Sequence, residues 1–352
     1  MLYLLPFLFA LYVFILVLLT FKIFGWTKKK TGKRVIYGVT AVIFIVASVF
    51  TIPIIYKQTL DKVDAEVDLF AYAPFEKGTK AVEIDEPATL KLDNDLPILD
   101  GATALYPVYS AFAQAVYPEK EYELFGSEVM SNNTVEAYRM LLDGEVDIIF
   151  VAGPSEAQLK MAKDVGKEYK MTPIGKESFV FFVNEKNKVK GLSLDEIKGI
   201  YSGEIKNWKE VGGKKKEIRA FQRPENSGSQ TALQNLMGDT PIMDPPVENV
   251  VDLMGGIIDQ VSTYQNYNNA IGFTFRYYST GMVGNDKIRL LEVNGVEPTV
   301  ETIRSSEYPI TDEFYAVTAG SDNPHIAELI EWILSPQGQK IIEQTGYVAI
   351  GK

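Results

Sequence analysis

Residues 221–231 read FQRPENSGSQT, and the fold of the 352-residue chain can be built outward from this stretch. Arg223 offers a planar fork of donors that suits a tetrahedral oxyanion. Ser227, Gly228 and Ser229 follow it, and the glycine leaves space for a ligand to approach closely. Residues 231–237 read as a helix. The turn is therefore predicted at a helix N-terminus, where unpaired N–H groups and the helix dipole favour an anion. An ordinary helix cap beside a surface arginine is the alternative.

Polar turns also follow the first predicted strands. A short strand ends at Leu99, and a turn that contains Thr103 leads into a helix from near Tyr106. Residues 131–134, Ser-Asn-Asn-Thr, precede an amphipathic helix, and residues 146–152 form a buried strand that leads into the next helix. Repeated strand–helix units predict an α/β fold with a parallel sheet, in which ligands bind outside the carboxyl ends of the strands. A plain helix cap is the alternative role for Thr103.

Further elements follow in the second half of the chain. Ser193 and Glu196 have the spacing of a capping box at a helix start. The pattern also predicts strands at 178–184, 218–221, 270–275 and 314–318, and a C-terminal helix at 326–345.

The N-terminal part of the chain has the pattern of a membrane hairpin. Two apolar runs, about 2–21 and 35–56, are each long enough to cross a bilayer. The loop 28–34 between them carries five positive charges, which predicts that it is cytoplasmic and that the chain after Lys57 is extracytoplasmic. A cleaved signal peptide is one alternative, although no basic residue precedes the first run. Cleavage after an internal signal is another. Residues 58–96 read as a linker or N-terminal strands.

Composition excludes several classes of function. Residues 1–57 hold six Lys, one Arg and no acidic residue, so the rest of the chain carries 28 basic and 46 acidic residues, a net charge of −18. This charge argues against nucleic acid as a partner. With no cysteine and one histidine, His325, neither a zinc site nor Ser-His-Asp chemistry is supported. We therefore predict no enzyme, no metal and no cofactor.

An ordered set of motifs identifies a family resemblance. The motifs are DGATALYP at 100–107, the turn at 131–134, YSGEIKNW at 201–208, RPENSGSQT at 223–231, AIGF at 270–273, GQ at 338–339 and GYV at 346–348. The set resembles the phosphate-binding proteins of phosphate ABC transporters, which belong to the type II periplasmic-binding-protein-like superfamily. The resemblance covers about residues 97–350. It implies two α/β lobes joined by crossing strands, with lobe 1 at 97–180 plus 290–352 and lobe 2 at 181–289.

The resemblance also implies a set of ligand-binding residues. Glu225 resembles the acidic residue that holds the binding arginine in place, and Ser229 stands where the family has threonine. Residues 131–134 match the corresponding family turn only loosely. The implied binding residues are Thr103, Ala104 through its N–H, Asn133, Thr134, Arg223, Ser227, Gly228 and Ser229.

One position departs from the family pattern. The family has an aspartate two residues before the proline that follows a strand, and it accepts the proton of hydrogen phosphate. Counting back from Pro154 gives Ala152. Such an acceptor distinguishes protonated phosphate from sulfate, because a carboxylate repels a fully ionised oxyanion.

Together these features predict a membrane-anchored, extracytoplasmic solute-binding protein. We expect it to capture an oxyanion, with phosphate as the first candidate, and to deliver it to the permease subunits of an ABC transporter. The alternative is a ligand-dependent sensor or envelope interaction protein with the same fold, since a shuttle need not cross the membrane twice. A hydrolase is disfavoured because the chain lacks a paired nucleophile and base.

Overall fold

The computed structural model describes residues 5–25, 30–59, 67–244, 267–284 and 286–350. Contacts divide the chain into two units, Met1–Lys62 and Val63–Lys352.

The first unit consists of two helices in its described residues. Helix α1 is Leu5–Ile23 and helix α2 is Lys30–Thr59. The rings of Phe14 and Phe44 lie 6.2 Å apart between centroids, so α1 packs on α2. Of the described residues, Lys30–Pro53 is the one stretch long and apolar enough to cross a membrane, and a shorter apolar helix covers Leu11–Ile23.

The predicted basic loop 28–34 is wrong in its C-terminal part. Helix α2 already begins at Lys30, so the basic residues from Lys30 to Arg34 form its first turn. Lysine and arginine have high helix propensity, and their long side chains can keep their charges in water while the backbone is helical. Residues 28–29 lie outside the described residues.

The second unit alternates helices and strands over most of its length. Its α-helices are α3 (Tyr106–Val116), α4 (Asn133–Asp143), α5 (Glu156–Asp164), α6 (Leu194–Ser202), α7 (Gly228–Met237), α8 (Val300–Arg304), α9 (Ile326–Leu334) and α10 (Pro336–Thr345). Its strands are β1 (Leu99–Gly101), β2 (Ile148–Val151), β3 (Lys170–Asn184), β4 (Gly191–Leu192), β5 (Arg219–Ala220), β6 (Ala270–Phe275), β7 (Ile288–Leu290), β8 (Glu292–Val293), β9 (Thr311–Thr318) and β10 (Val348–Ala349).

The main sheet is mixed rather than parallel, which corrects the sequence prediction. Its order is β1-β2-β9-β3-β6-β5, with β10 and β7 also paired to β3. The β1–β2 and β5–β6 pairs are parallel, as the strand–helix pattern predicted. Strands β3 and β9 run antiparallel to each other, and β9 is also antiparallel to β2 and β3 to β6.

Strand β3 connects the two halves. Its residues Lys170–Ser178 pair with β9, and Phe179–Val183 pair with β6. On one side of this junction a buried core contains Phe112, Phe150 and Trp332, and on the other side a second core contains Phe181, Tyr201 and Trp208. The chain therefore has the expected two-lobed α/β fold.

The sequence pattern located one helix start correctly and joined two other helices. The capping box of Ser193 and Glu196 is present at the start of α6. The predicted C-terminal helix 326–345 is instead two helices, α9 and α10, which meet at Ser335 and Pro336. Pro336 lacks an N–H for the helix ladder and fits the first position of a new helix, so the chain turns there.

The segment ahead of the sheet packs on the first core. Tyr72, Ala81 and Leu92 are buried there. The backbone N–H and the hydroxyl of Thr89 donate to Gln337 Oε1 at 2.8 and 3.0 Å. The expected linker or N-terminal strands are therefore wrong for the described residues 67–96, which belong to the folded second unit and contain a 3-10 helix at Leu69–Tyr72 but no strand.

Gly101 provides a test of how closely β1 and β2 approach. A Cβ at this position would lie 2.3 Å from the carbonyl oxygen and 2.9 Å from the nitrogen of Phe150. Both are backbone atoms, so Gly101→Ala should lower the free energy of unfolding by about 1–3 kcal/mol. Urea unfolding of the full chain in detergent micelles, followed by circular dichroism, measures this change. Gly38→Ala is the control, because nothing lies within 4 Å of its Cβ position. Equal stability of the two variants would contradict the prediction.

Candidate functional site

The start of helix α7 forms one wall of the candidate site. Ser227 has extended backbone angles and its Oγ accepts a hydrogen bond from the N–H of Gln230 at 3.3 Å. Helix α7 then begins at Gly228, and Ser229 lies in its first turn. The prediction that residues 227–229 form a helix N-terminus is confirmed.

Helix α4 approaches this wall from the other lobe. A Cβ built on Gly228 would lie 3.4 Å from Thr134 Oγ1 and 3.8 Å from the ring of Phe275. Thr134 is in the first turn of α4 and is buried. The first turns of α4 and α7 therefore meet at Gly228, although 94 positions separate Thr134 and Gly228 in the chain.

The side chain of Asn133 forms hydrogen bonds with the backbone of the same turn. Its Oδ1 accepts hydrogen bonds from the N–H groups of Val135 and Glu136 at 2.9 and 3.1 Å. Its backbone φ of 78° is left-handed, a conformation that asparagine tolerates better than most residues. The Oδ1 of Asn133 thus caps α4, which leaves its amide group as the part that can serve a ligand.

Asp100 ties two turns of the first lobe together, and it has no predicted role in the sequence analysis. It is buried in the middle of β1 and accepts hydrogen bonds from the N–H of Gly101 at 2.7 Å and from the N–H and Nδ2 of Asn132 at 2.8 and 3.0 Å. Burial raises the pKa of Asp100, and these hydrogen bonds oppose the increase. The signal in the sequence was an acidic residue inside an otherwise buried strand end.

A turn of 3-10 helix at Thr103–Leu105 forms the third wall. The Tyr347 hydroxyl donates a hydrogen bond to the carbonyl oxygen of Ala104. Tyr347 comes from the C-terminal end of the chain and is almost completely buried. It holds in place the peptide whose neighbouring N–H groups are candidate anion donors.

Arg223 follows β5 on the same side as α7. Its backbone N–H donates to Gln230 Oε1 at 2.9 Å, which fixes the chain next to the helix. Burial raises the pKa of Tyr278 to about 12, and the positive charge of Arg223 acts against this increase. Glu225 is exposed, and its role beside Arg223 stays a prediction.

A cavity of about 190 Å³ opens where these walls meet. Ala104, Ala152 and Gly228 all line it. Across the cleft, Ser155 Oγ donates to Asn226 Oδ1 at 2.9 Å, which connects the start of α5 to the loop before α7. Ala152 therefore lies at a cavity that two of the predicted binding residues, Ala104 and Gly228, also line. The other predicted binding residues are not among its lining residues: Thr103, Asn133, Thr134, Arg223, Ser227 and Ser229.

A buried ion pair lies at the junction of the lobes, and its acidic member, Glu177, lines the same cavity. Glu177 accepts hydrogen bonds from the N–H groups of Ser178 and Tyr277 at 2.8 and 3.0 Å, and its Oε1 lies 3.6 Å from Arg276 Nε. Burial raises the pKa of Glu177 to about 7, although Arg276 and the backbone donors oppose this. Arg276 also donates to the carbonyl oxygen of Gly346.

Comparison with known proteins places this architecture in a family. A model of the PBP superfamily domain matches residues 98–337. The chain belongs to the PBP superfamily. This membership agrees with the resemblance seen in the ordered motifs, and it confirms the predicted superfamily and fold class.

Relatives of this PBP-superfamily chain include two curated bacterial proteins. It is 30% identical over 169 residues to the phosphate-binding protein PstS of Bacillus subtilis, a match that spans 48% of this chain and 53% of that protein. It is 25% identical over 236 residues to PstS of Borreliella burgdorferi, across 63% of this chain and 82% of that protein.

Solved structures share the fold of the PBP-superfamily chain. A Clostridium perfringens protein with bound phosphate aligns with a TM-score of 0.54 at 23% identity, over 72% of this chain and 98% of that one. The phosphate-bound periplasmic protein PfluDING aligns with a TM-score of 0.53 at 12% identity, over 72% and 90% of the two chains. At these identities the alignments show a common fold.

The titration of Glu177 predicts how stability depends on pH. Between its ordinary pKa of 4.5 and its folded pKa of about 7, the folded chain keeps a proton that the unfolded chain has lost. This contribution to the free energy of unfolding is complete below pH 4.5 and is lost as the pH rises through about 7. Glu177→Gln should therefore make stability less dependent on pH in this window, as measured by urea unfolding at several pH values. Glu119→Gln, at an exposed position, is the control. An unchanged pH slope in Glu177→Gln would contradict the prediction.

Proposed function

We propose that this chain is a membrane-anchored, extracytoplasmic solute-binding protein that captures phosphate between its lobes and delivers it to an ABC permease. One observation carries the proposal: Ala104 and Gly228, from two separate helix starts, line one cavity, and Thr134 at the start of α4 lies next to Gly228. Unpaired N–H groups and helix dipoles at such positions attract anions. The phosphate-binding names of its relatives agree with this proposal.

In this proposal the ligand is held from both lobes. Lobe 1 supplies Thr103, the N–H of Ala104, Asn133 and Thr134. Lobe 2 supplies Arg223, Ser227, Gly228 and Ser229. A charge-assisted hydrogen bond contributes about 1.5–3 kcal/mol, and micromolar affinity needs about 8 kcal/mol, so this set of donors is sufficient. Because donors come from both sides, the ligand favours a closed cleft over an open one.

Arg223 provides the most direct test of the site. Arg223→Ala should weaken phosphate binding by about 10- to 100-fold, which corresponds to the loss of one charge-assisted hydrogen bond of roughly 1.5–3 kcal/mol. Isothermal titration of the full chain in maltoside micelles measures the affinity. Arg304→Ala is the matched control, because Arg304 is exposed and pairs with Glu343 on the surface. If Arg223→Ala binds phosphate as the native chain does, the assigned site is wrong.

Anchoring by the first unit is the second part of the proposal. Helix α2 contains a stretch long and apolar enough to span the bilayer, and the basic residues at its start favour the cytoplasmic side. A binding protein held at the membrane stays close to the permease that receives its ligand.

The absence of cysteine makes this topology directly testable. Thr31→Cys introduces a single thiol at the start of α2, and Asn94→Cys introduces one at an exposed position of the second unit. A membrane-impermeant maleimide should label Asn94→Cys in intact cells and Thr31→Cys only after permeabilisation. The reverse pattern would invert the topology, and labelling of both in intact cells would contradict the cytoplasmic basic segment.

A further inference from the structure

The cavity extends well beyond the turns that would hold an oxyanion. Besides Ala104, Ala152 and Gly228, its wall includes side chains from β3, β6, β9 and the C-terminal end of the chain. Gly228 lies next to both parts, because its Cβ position is 3.4 Å from the Thr134 hydroxyl and 3.8 Å from the Phe275 ring. A ligand held at the helix starts thus faces an additional space.

Aromatic rings form much of the wall of that additional space. They are Phe179, Phe275, Phe314 and Tyr347. The face of an aromatic ring carries partial negative charge and attracts cations, most strongly when the cation is removed from water. Aromatic rings grouped in this way are suited to an ammonium group with apolar substituents.

Carboxylates lie beside these rings. Glu177, Asp312 and Glu313 line the cavity, and the described lining contains no Lys, Arg or His. Glu177 and Asp312 are register partners on β3 and β9, so their side chains leave the same face of the sheet. Glu177 already pairs with Arg276, and Glu313 is next to Asp312 in the strand and so leaves the opposite face, which leaves Asp312 as the acidic group for a cation.

Ala152 fits a ligand that has no phosphate proton to donate. Inorganic phosphate near neutral pH keeps a proton as its dianion, whereas a phosphate monoester has its second pKa near about 6 and is largely unprotonated at pH 7. The monoester has a substituent where hydrogen phosphate has its O–H group. The small side chain of Ala152 leaves space for that substituent and provides no carboxylate to repel the dianion.

We propose that the cavity takes a phosphate monoester whose short substituent ends in a cationic amine. The phosphoryl group binds at the starts of the 3-10 turn, α4 and α7, and the amine lies among the rings and beside the acidic residue Asp312. The proposal rests on the oxyanion site of the proposed function, and it specifies the ligand class for that site.

Titration with a series of ligands tests this proposal. Isothermal titration of the full chain in maltoside micelles compares inorganic phosphate, methyl phosphate and phosphocholine. Phosphocholine should bind about tenfold more tightly than inorganic phosphate, a difference of about 1.4 kcal/mol, and more tightly than methyl phosphate. Asp312→Asn should reduce the ratio of the phosphocholine and phosphate affinities by about threefold. Asp322→Asn, which makes the same change of charge away from the cavity lining, should keep the ratio.

Each of the other possible titration results contradicts either this inference alone or the proposed function as well. Phosphate binding that equals or exceeds phosphocholine binding overturns this inference and leaves the proposed function standing. Equal binding of methyl phosphate and phosphocholine shows that the cation has no site. If a chain with native circular dichroism binds none of the three ligands, both the inference and the proposed oxyanion site are wrong.

Discussion

Strand β3 supplies hydrogen-bond partners to both lobes, and the position of the cavity depends on its register. Its first part pairs with β9 and its second part with β6, and the change occurs between Ser178 and Phe179. Glu177 and Phe179 lie on either side of this change and two residues apart, so both side chains leave the same face and line the cavity. A slip of one residue would turn that face away, which is why the register is as important to the site as the binding turns are.

The junction also contains two buried charged side chains that need hydrogen-bond partners. Glu177 and Arg276 are both largely buried, and such a pair recovers its desolvation cost only if further hydrogen bonds are made. Backbone N–H groups serve Glu177, and the carbonyl oxygen of Gly346 serves Arg276. Gly346 directly precedes Tyr347, whose hydroxyl holds Ala104. Polar contacts therefore run from the crossing strand to a wall of the site.

Features that depend on neighbours in the sequence were predictable. Ser227 and Ser193 cap their helices with hydrogen bonds to N–H groups three residues later, so the pattern alone locates them. Strand β3 was predicted from residue 178, yet it begins at Lys170. Its first part contains Pro173 and Gly175, which disfavour strands, and it is a strand because β9 pairs with it from far along the chain. The hydrogen bond between Asp100 and Asn132 joins residues 32 positions apart, and that between Tyr347 and Ala104 joins residues 243 positions apart. No local sequence pattern predicts either, because the two partners are not neighbours in the sequence.

The strand order has a consequence for how the chain folds as it is made. Strands β2 and β3 are consecutive among the main-sheet strands, but β9 lies between them, and it is synthesised more than 120 residues after β3. Until residues 311–318 emerge, β2 and the first part of β3 each have an unpaired edge, and unpaired edges invite wrong pairing. Contacts between distant residues also slow folding, because a long loop must close before they form. The sheet of the first lobe can therefore be completed only late in synthesis, and unpaired strand edges of this kind make a partly folded chain prone to aggregation.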